Sequence, residues 1–193
     1  MNHTVKIKSL PAKEYLVIKG CGKLYDPGVA GNNEDIIRNR IADSSVERLK
    51  KAACSETVYI LFCNTCMRND EDKCYDCGYD IACENHSGVK AGDEFAIIRL
   101  NPCEYAVFTC DFESGTSLRD AHEQPDDLFW NGWLKENPYT CAIDDPVNWN
   151  GKGFAAIEQY TPLDPDASKF TAVMWYPIIN KTCASIRTGD RNE

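Results

Sequence analysis

No stretch of this sequence is apolar for long enough to form a transmembrane helix, which needs about 18 consecutive apolar residues. The first ten residues interleave lysines with apolar side chains, so a secretory signal peptide is not expected. The sequence also lacks a Gly-x-Ser-x-Gly nucleophile motif and a phosphate-binding glycine loop. These absences predict a cytoplasmic protein that does not act at a membrane and carries neither of these two catalytic signatures.

Positive charge is also scarce, since 21 lysines and arginines face 30 aspartates and glutamates, for a formal net charge of −9. Proteins that bind nucleic-acid backbones carry a basic patch, so direct nucleic-acid binding is not expected. The charge is compatible with cationic or neutral ligands. Histidine is rare too. His3, His86 and His122 have no recognisable catalytic neighbours in sequence, and we interpret them as hydrogen-bonded or solvated residues.

Cysteine, in contrast, is abundant. An odd count of eleven without a signal peptide indicates reduced thiols rather than a disulfide scaffold. Two Cys-x-x-Cys pairs lie on the two arms of one predicted hairpin, which predicts a tetrahedral structural zinc site. Four thiolates leave zinc no open position, so the metal would pin the hairpin tip rather than catalyse. An iron–sulfur cluster uses the same ligands, and a buried Cys77 without metal is the third possibility. The four cysteines are Cys63, Cys66, Cys74 and Cys77.

Apolar periodicity divides the chain into two similar halves, about residues 3–84 and 94–180, joined by a glycine-containing linker at residues 85–93. Each half has the order strand, strand, helix, strand, strand. Together the halves predict one domain over residues 1–180, followed by a polar tail at 181–193. The predicted class is α+β, with two β-β-α-β-β repeats in one curved antiparallel sheet, helices on one face and a concave ligand cleft on the other. The predicted strands are Val5–Ser9, Glu14–Ile18, Thr57–Cys63, Tyr75–Cys83, Glu94–Leu100, Tyr105–Cys110, Phe154–Tyr160 and Phe170–Ile178.

Two helical regions separate these strand pairs. The first begins at Asn32 or Asn33 and ends by about Ala53, and a capping box of Ser44 with Glu47 restarts it after Asp43. The second runs from about Leu118 to Lys135 with an interruption at Pro125. We interpret the apolar stripe of the first helix as core; it consists of Ile37, Ile41 and Leu49, with Ile36 and Val46 beside it.

One acidic residue lies in an otherwise apolar and aromatic strand. Alternation along the strand places Phe154, Ala156, Glu158 and Tyr160 on one face. If that face is enclosed, burial raises the pKa of Glu158 unless hydrogen-bond donors or a positive partner offset it. That partner is either a protein side chain or a bound cation. The alternative interpretation is a solvated strand face on which Glu158 has no role.

Four short motifs occur in the order typical of one family. They are the strand pair FAIIRLNPCEYAVF at 95–108, Trp-Leu at 133–134, IEQY at 157–160, and MWYPI at 174–178. With them the chain resembles the gyrase-inhibitor-like small-molecule-binding domain, which is also the effector-binding part of AraC-type and MerR-type transcription activators. The resemblance covers about residues 3–180. Ile157 replaces an aromatic residue common in the family, the cysteine-rich insertion is unusual for it, and no helix-turn-helix segment is expected.

The resemblance implies a stand-alone protein that binds a small organic, drug-like and cationic ligand, for sensing or sequestration linked to transcription regulation. In the family the residue matching Glu158 contacts ligands among aromatic rings, and its expected companions here are Phe154, Tyr105, Tyr160, Trp130, Trp133 and Trp175. For Tyr105, Trp130, Trp133 and Trp175 the alternative is a plain core role, with Trp133 packed against the sheet. The alternative is a small hydrolase of strained or electrophilic compounds, with Glu158 and Tyr160 as catalytic residues. A third hypothesis, inhibition of gyrase, follows from the family name only, and no residue of this sequence supports it.

Overall fold

The structure is a computed structural model that describes residues 2–18, 33–64, 77–113, 115–142, 154–164 and 166–181. Within these residues, nine strands form one antiparallel sheet and the helical segments lie between them. The strands are β1 Asn2–Leu10, β2 Lys13–Ile18, β3 Val58–Asn64, β4 Cys77–Glu84, β5 Phe95–Leu100, β6 Cys103–Phe112, β7 Tyr139–Cys141, β8 Phe154–Thr161 and β9 Phe170–Asn180. The helices are α1 Asn33–Ala42, α2 Ser45–Ala53, α3 Leu118–Asp127, a π-helical segment Leu128–Trp133, and the short α4 Leu134–Glu136.

The strands are ordered β1-β6-β9-β8-β3-β4-β2-β5 across the sheet, with β7 beside β9. The first strand of each half therefore pairs with the other half, β1 with β6 and β5 with β2. Leu10 ends β1 and Lys13 begins β2, although these strands lie near opposite ends of the order. Three residues of extended chain span only about 10 Å. The sheet must therefore curve until its two ends come close together.

The two faces of the sheet carry separate apolar clusters, because neighbouring residues in a strand point to opposite faces. In β2, Leu16 and Ile18 belong to the cluster that also contains helix residues such as Phe129. Tyr15 and Val17 belong to the other cluster, whose buried members in the described chain all come from strands. We call the first the helix-covered face and the second the concave face, since the curvature of the sheet itself buries the second.

This architecture confirms the predicted α+β class, a curved antiparallel sheet with helices on one face. The predicted hairpin of the first half is confirmed as well, since β3 pairs with β4 from Val58 opposite Cys83 to Asn64 opposite Cys77. Aromatic and aliphatic side chains fill the concave face. That this face holds a ligand stays a prediction. No helix in the described part of the chain is long and apolar enough to cross a membrane.

The helices differ from the sequence predictions at three points. Helix α3 continues through Pro125, where the sequence predicted an interruption. The segment Leu128–Trp133 follows it as a π-helix, a form frequent at functional sites. Ile41, predicted to lie in the core, is 41% exposed. Helix α2 restarts after Asp43 as predicted, but no capping box forms. Ser44 has a left-handed backbone and its side chain caps nothing, while Asp43 Oδ1 accepts the Ser45 amide hydrogen at 2.8 Å.

Helix α3 begins with a side-chain cap that offers a stability test. Ser117 Oγ accepts the Asp120 amide hydrogen at 3.0 Å. Replacing Ser117 with alanine removes this bond, so we expect the free energy of unfolding to fall by about 1 kcal/mol. Urea denaturation measures the change, with the exposed Ser168→Ala as the control that leaves stability unaltered. Equal stability of the two variants would contradict the capping role.

Candidate functional site

Glu158 is a fully buried carboxylate at the centre of the sheet. Its strand, β8, lies between β9 and β3, and the Glu158 side chain has 0% exposure. It points to the helix-covered face, as do Ala156 and Tyr160, which belong to the cluster beneath the helices. The predicted sharing of one strand face is therefore observed for these three residues. That face is covered by helices, whereas the sequence prediction placed the ligand cleft on the opposite face.

Both oxygens of the Glu158 carboxylate are occupied by hydrogen-bond partners. His122 Nδ1 lies 2.9 Å from Oε1, and the Tyr160 hydroxyl donates to Oε2 at 2.7 Å. His122 belongs to α3, which packs over β6, and its side chain is buried as well. A buried charge is tolerated where a counter-charge and hydrogen bonds compensate it. The positive partner that the sequence left open is therefore a protein side chain, His122.

The electrostatic surroundings of His122 favour its charged form. Burial is the largest single influence on the pKa of His122 and lowers it, but the charge and hydrogen bond of Glu158 together with the charges of Asp126 and Glu123 outweigh burial, so the pKa rises to about 9. At neutral pH His122 is thus held in its charged form beside Glu158. Sequence reasoning missed this role of His122. The one local signal was the spacing of His122 and Asp126, four residues apart on one helix face.

The polar chain continues from His122 toward the surface through Asp126. Asp126 Oδ2 lies 3.9 Å from His122 Nε2. Burial raises the pKa of the Asp126 carboxyl, while the neighbouring His122 charge opposes the rise. The pKa of the buried Tyr176 hydroxyl lies well above its usual range, mainly because of burial and, to a smaller extent, because of the Asp126 charge. Asp126 therefore contributes to an environment in which positive charge is favoured.

A cavity of about 300 Å³ opens beside this end of the chain, and we call it the outer cavity. Its one aromatic wall is Trp130, which is 38% exposed and packs against Phe129. Three carboxylates and one histidine border it, which makes it acidic. The lining residues are His122, Glu123, Asp126, Asp127, Trp130 and Asn131.

A larger cavity of about 440 Å³ lies between α1, α2 and the end of β8, and we call it the inner chamber. Its polar rim has two carboxylates and one amine, with Lys50 Nζ at 3.2 Å from Glu47 Oε1 and 2.9 Å from Glu56 Oε2. These two hydrogen bonds raise the pKa of Lys50, and the bond to Glu56 has the larger effect. The remaining walls are mostly apolar. They comprise Ile41, Val46, Thr57, Val58, Gln159, Tyr160, Thr161, Pro162 and Leu163.

Tyr160 connects the two cavities. Tyr160 is one of the residues that line the inner chamber, and its hydroxyl donates to Glu158, which His122 also contacts. His122 in turn lines the outer cavity. A chain of buried polar groups therefore runs from Tyr160 through Glu158 to His122, and it ends at the partly exposed Asp126 beside the outer cavity. Electrostatic interactions among the three buried groups are stronger than in water, because these groups are shielded from it.

The aromatic residues predicted to surround Glu158 fall into two separate groups. Trp130 and Trp133 lie on the helix-covered face, where Trp133 stacks on Tyr139 and Phe129 in the core. Tyr105 and Trp175 lie on the concave face and contact each other edge to face at 6.2 Å. Lys8 Nζ lies 5.0 Å above the Trp175 ring. Phe154 begins β8, and its side chain lies outside the described part of the structure.

The predicted metal site falls mostly outside the described residues. Cys66 and Cys74 belong to the part that the structure does not describe, while Cys63 and Cys77 lie at adjoining positions of the β3–β4 ladder. Among the described residues, no group of three or more potential ligands is placed to hold a metal ion. Zinc coordination by these four cysteines stays a prediction, and native mass spectrometry of the purified protein tests it.

Solved structures share this fold at low sequence identity. EcmrR in its complex with DNA covers 92% of this chain with a TM-score of 0.55 and 11% identity, and the chain spans 58% of that protein. The C-terminal domain of EcmrR covers 93% of this chain and 99% of its own length, with a TM-score of 0.53 and 13% identity. SAV2435 bound to tetraphenylphosphonium covers 91% of this chain and 94% of its own, with a TM-score of 0.53 and 14% identity. No protein-family model and no curated protein matches the sequence. The chain therefore has the fold of the EcmrR C-terminal domain and of SAV2435.

Proposed function

We propose that this protein binds small lipophilic organic cations in the inner chamber, as a sensing or sequestering module. The proposal is based on the lining, the volume and the charge of the chamber. Its walls combine apolar with polar side chains, its volume of about 440 Å³ suits a drug-sized molecule, and its rim carries two carboxylates against one amine. Tyr160 is the one aromatic residue among the described lining residues, and an aromatic ring that faces a cation contributes about 0.5–2 kcal/mol to its binding.

The fold likeness supports this choice of ligand class. SAV2435 is bound to tetraphenylphosphonium, a lipophilic cation. The resemblance to effector-binding domains of transcription activators links binding of this kind to transcription regulation. In this chain Glu158 lies behind Tyr160 and does not line either cavity among the described residues. We propose that Glu158 acts on the ligand through Tyr160, by hydrogen bonding and by its field, rather than by direct contact.

The second proposed function is hydrolysis of a strained or electrophilic compound by Glu158 and Tyr160. The observation in its favour is the buried array of Glu158, His122 and Tyr160, which are groups that transfer protons in enzymes. Against it, both carboxylate oxygens are already occupied and Glu158 is fully buried, so the carboxylate has no direct access to a substrate in the chamber. Binding is therefore the function that the geometry supports best.

Filling part of the chamber is expected to weaken binding. We expect Ile41→Trp to weaken tetraphenylphosphonium binding at least about tenfold in isothermal titration calorimetry, because the indole occupies chamber volume. Ile41 is exposed, so the larger side chain leaves the core intact. The matched control is Ile7→Trp on β1, where Ile7 is 45% exposed and lines neither cavity, and we expect it to bind like the unaltered protein.

Equal weakening by both substitutions, or no binding by the unaltered protein, would overturn the inner chamber as the binding site. The same samples test hydrolysis. Mass spectrometry of a panel of epoxides and other electrophiles follows the compounds after incubation with the unaltered protein and with Glu158→Gln. Products formed only by the unaltered protein would place the hydrolase ahead of the binding module.

A further inference from the structure

The two cavities and the buried pair between them imply a role for His122 that the proposed function does not include. Glu158 touches the chamber wall through the Tyr160 hydroxyl at 2.7 Å, and it touches the border of the outer cavity through His122 Nδ1 at 2.9 Å. The pair of His122 and Glu158 therefore lies between the two cavities. The net charge of the His122–Glu158 pair behind Tyr160 therefore depends on the proton of His122.

We infer that His122 is a specificity-determining residue, which sets the preference of the inner chamber between cationic and neutral ligands through its protonation. This inference rests on the proposed function and names how that site is regulated. With His122 protonated, its charge cancels that of Glu158, and the attraction for a cation comes from the rim carboxylates. With His122 neutral, Glu158 adds an uncompensated negative charge behind Tyr160. The affinity for cations then increases relative to that for neutral compounds of the same shape.

The proton has a defined route. Nδ1–H faces Glu158 and keeps its hydrogen bond in the neutral imidazole, so the proton that leaves is the one on Nε2. Nε2 faces Asp126 at 3.9 Å on the side of the outer cavity, and the proton passes from there to water. A cation that enters the chamber favours this loss, because it repels the imidazolium. Cation binding is therefore accompanied by proton release.

The groups around His122 are consistent with this switch. On β8, Glu158 contacts His122 and also accepts the Tyr160 hydroxyl hydrogen. On the helix of His122 itself, Asp126 and Glu123 lie close enough for their charges to act on the imidazole. On β9, Tyr176 lies near Asp126 and Glu158. All the carboxylates among these groups stabilise the imidazolium, and the pKa of His122 of about 9 places the change within an accessible range. The polar chain thereby gives ligand selectivity a pH dependence that surface residues alone would not.

The test compares tetraphenylphosphonium with the neutral triphenylphosphine oxide by titration calorimetry from about pH 7 to about pH 10. For the unaltered protein we expect the affinity ratio of cation to neutral probe to rise about tenfold over this range. In His122→Gln, whose amide can still donate to Glu158, we expect a ratio that is high already at neutral pH and changes less than about twofold. In Glu158→Gln the ratio is expected to stay low at all pH values.

Two further variants complete the design. The exposed His3→Gln is the matched control and should follow the unaltered protein. Asp126→Asn removes a partly exposed carboxylate that stabilises the imidazolium, so in this variant the affinity ratio of cation to neutral probe should rise at lower pH than in the unaltered protein. This variant tests the role of His122 if His122→Gln does not fold. A ratio that is independent of pH in the unaltered protein, or equal pH profiles for it and the foldable variant, would overturn the role of His122 while binding itself stands. Failure of both probes to bind would instead overturn the proposed function.

Discussion

Replacing His122 with alanine is expected to lower the free energy of unfolding by about 3–5 kcal/mol at neutral pH. The substitution leaves the Glu158 carboxylate at 0% exposure without its counter-charge and with one oxygen unsatisfied. Removing one partner of a buried pair costs more than the pair itself contributes, because the remaining charge stays desolvated. Urea denaturation monitored by circular dichroism measures the loss as a shift of the midpoint at unchanged slope.

The double variant His122→Leu with Glu158→Leu separates this explanation from a simple packing defect. Because it removes both charges, we expect it to recover most of the stability and to lie within about 1–2 kcal/mol of the unaltered protein. The exposed His3→Ala serves as the control and should change stability by less than about 0.5 kcal/mol. If His122→Ala proved as stable as this control, Glu158 would not be held by His122.

Stability is expected to fall by roughly 3 kcal/mol as the pH rises from about 6.5 to about 9. His122 binds its proton more tightly in the folded protein, with a pKa of about 9, than in the unfolded chain, where its usual value is about 6.5. Its contribution is therefore fully present below the unfolded pKa and is lost as the pH rises through the folded pKa. Urea denaturation at half-unit pH steps gives the profile.

His122→Gln isolates this contribution from other titrating groups. Burial raises the pKa of the Cys83 thiol to about 12 and that of Cys110 to about 11, so these thiols also reduce stability as the pH rises above their usual range. They remain in His122→Gln, whose profile should be flat from about pH 6.5 to about pH 8, below the range in which thiols titrate in the unfolded chain. The same slope in both proteins would show that the folded state does not hold the His122 proton in the way the geometry implies.

Local pattern was sufficient to predict the strands. Alternating and β-branched runs such as Val58–Asn64 and Phe170–Asn180 appear close to their predicted positions, because side-chain alternation needs only the local sequence. The same alternation correctly grouped Ala156, Glu158 and Tyr160 on one face. The three-residue strand β7 was not predicted, since three residues are too few to show a period.

The helices show where local pattern was insufficient. Ile37 and Leu49 are buried as their spacing predicts, but Ile41 borders the inner chamber and is exposed. Pro125 was predicted to interrupt the second helix. Instead α3 continues through it into the π-helical segment, since packing of Phe129 against Phe108 and Tyr176 outweighs one missing backbone hydrogen bond.

The class of fold, the positions of most strands and the strand face that Glu158 shares with Ala156 and Tyr160 were predictable from short-range periodicity and composition. Only the tertiary structure decided that β1 and β5 exchange places, that Glu158 faces the helices, and that its partner is His122, 36 residues away in sequence. These depend on which surfaces meet when the curved sheet nearly closes, and no local signal encodes the distance between groups so far apart in the chain. The charge state of the candidate site is therefore a property of the folded protein.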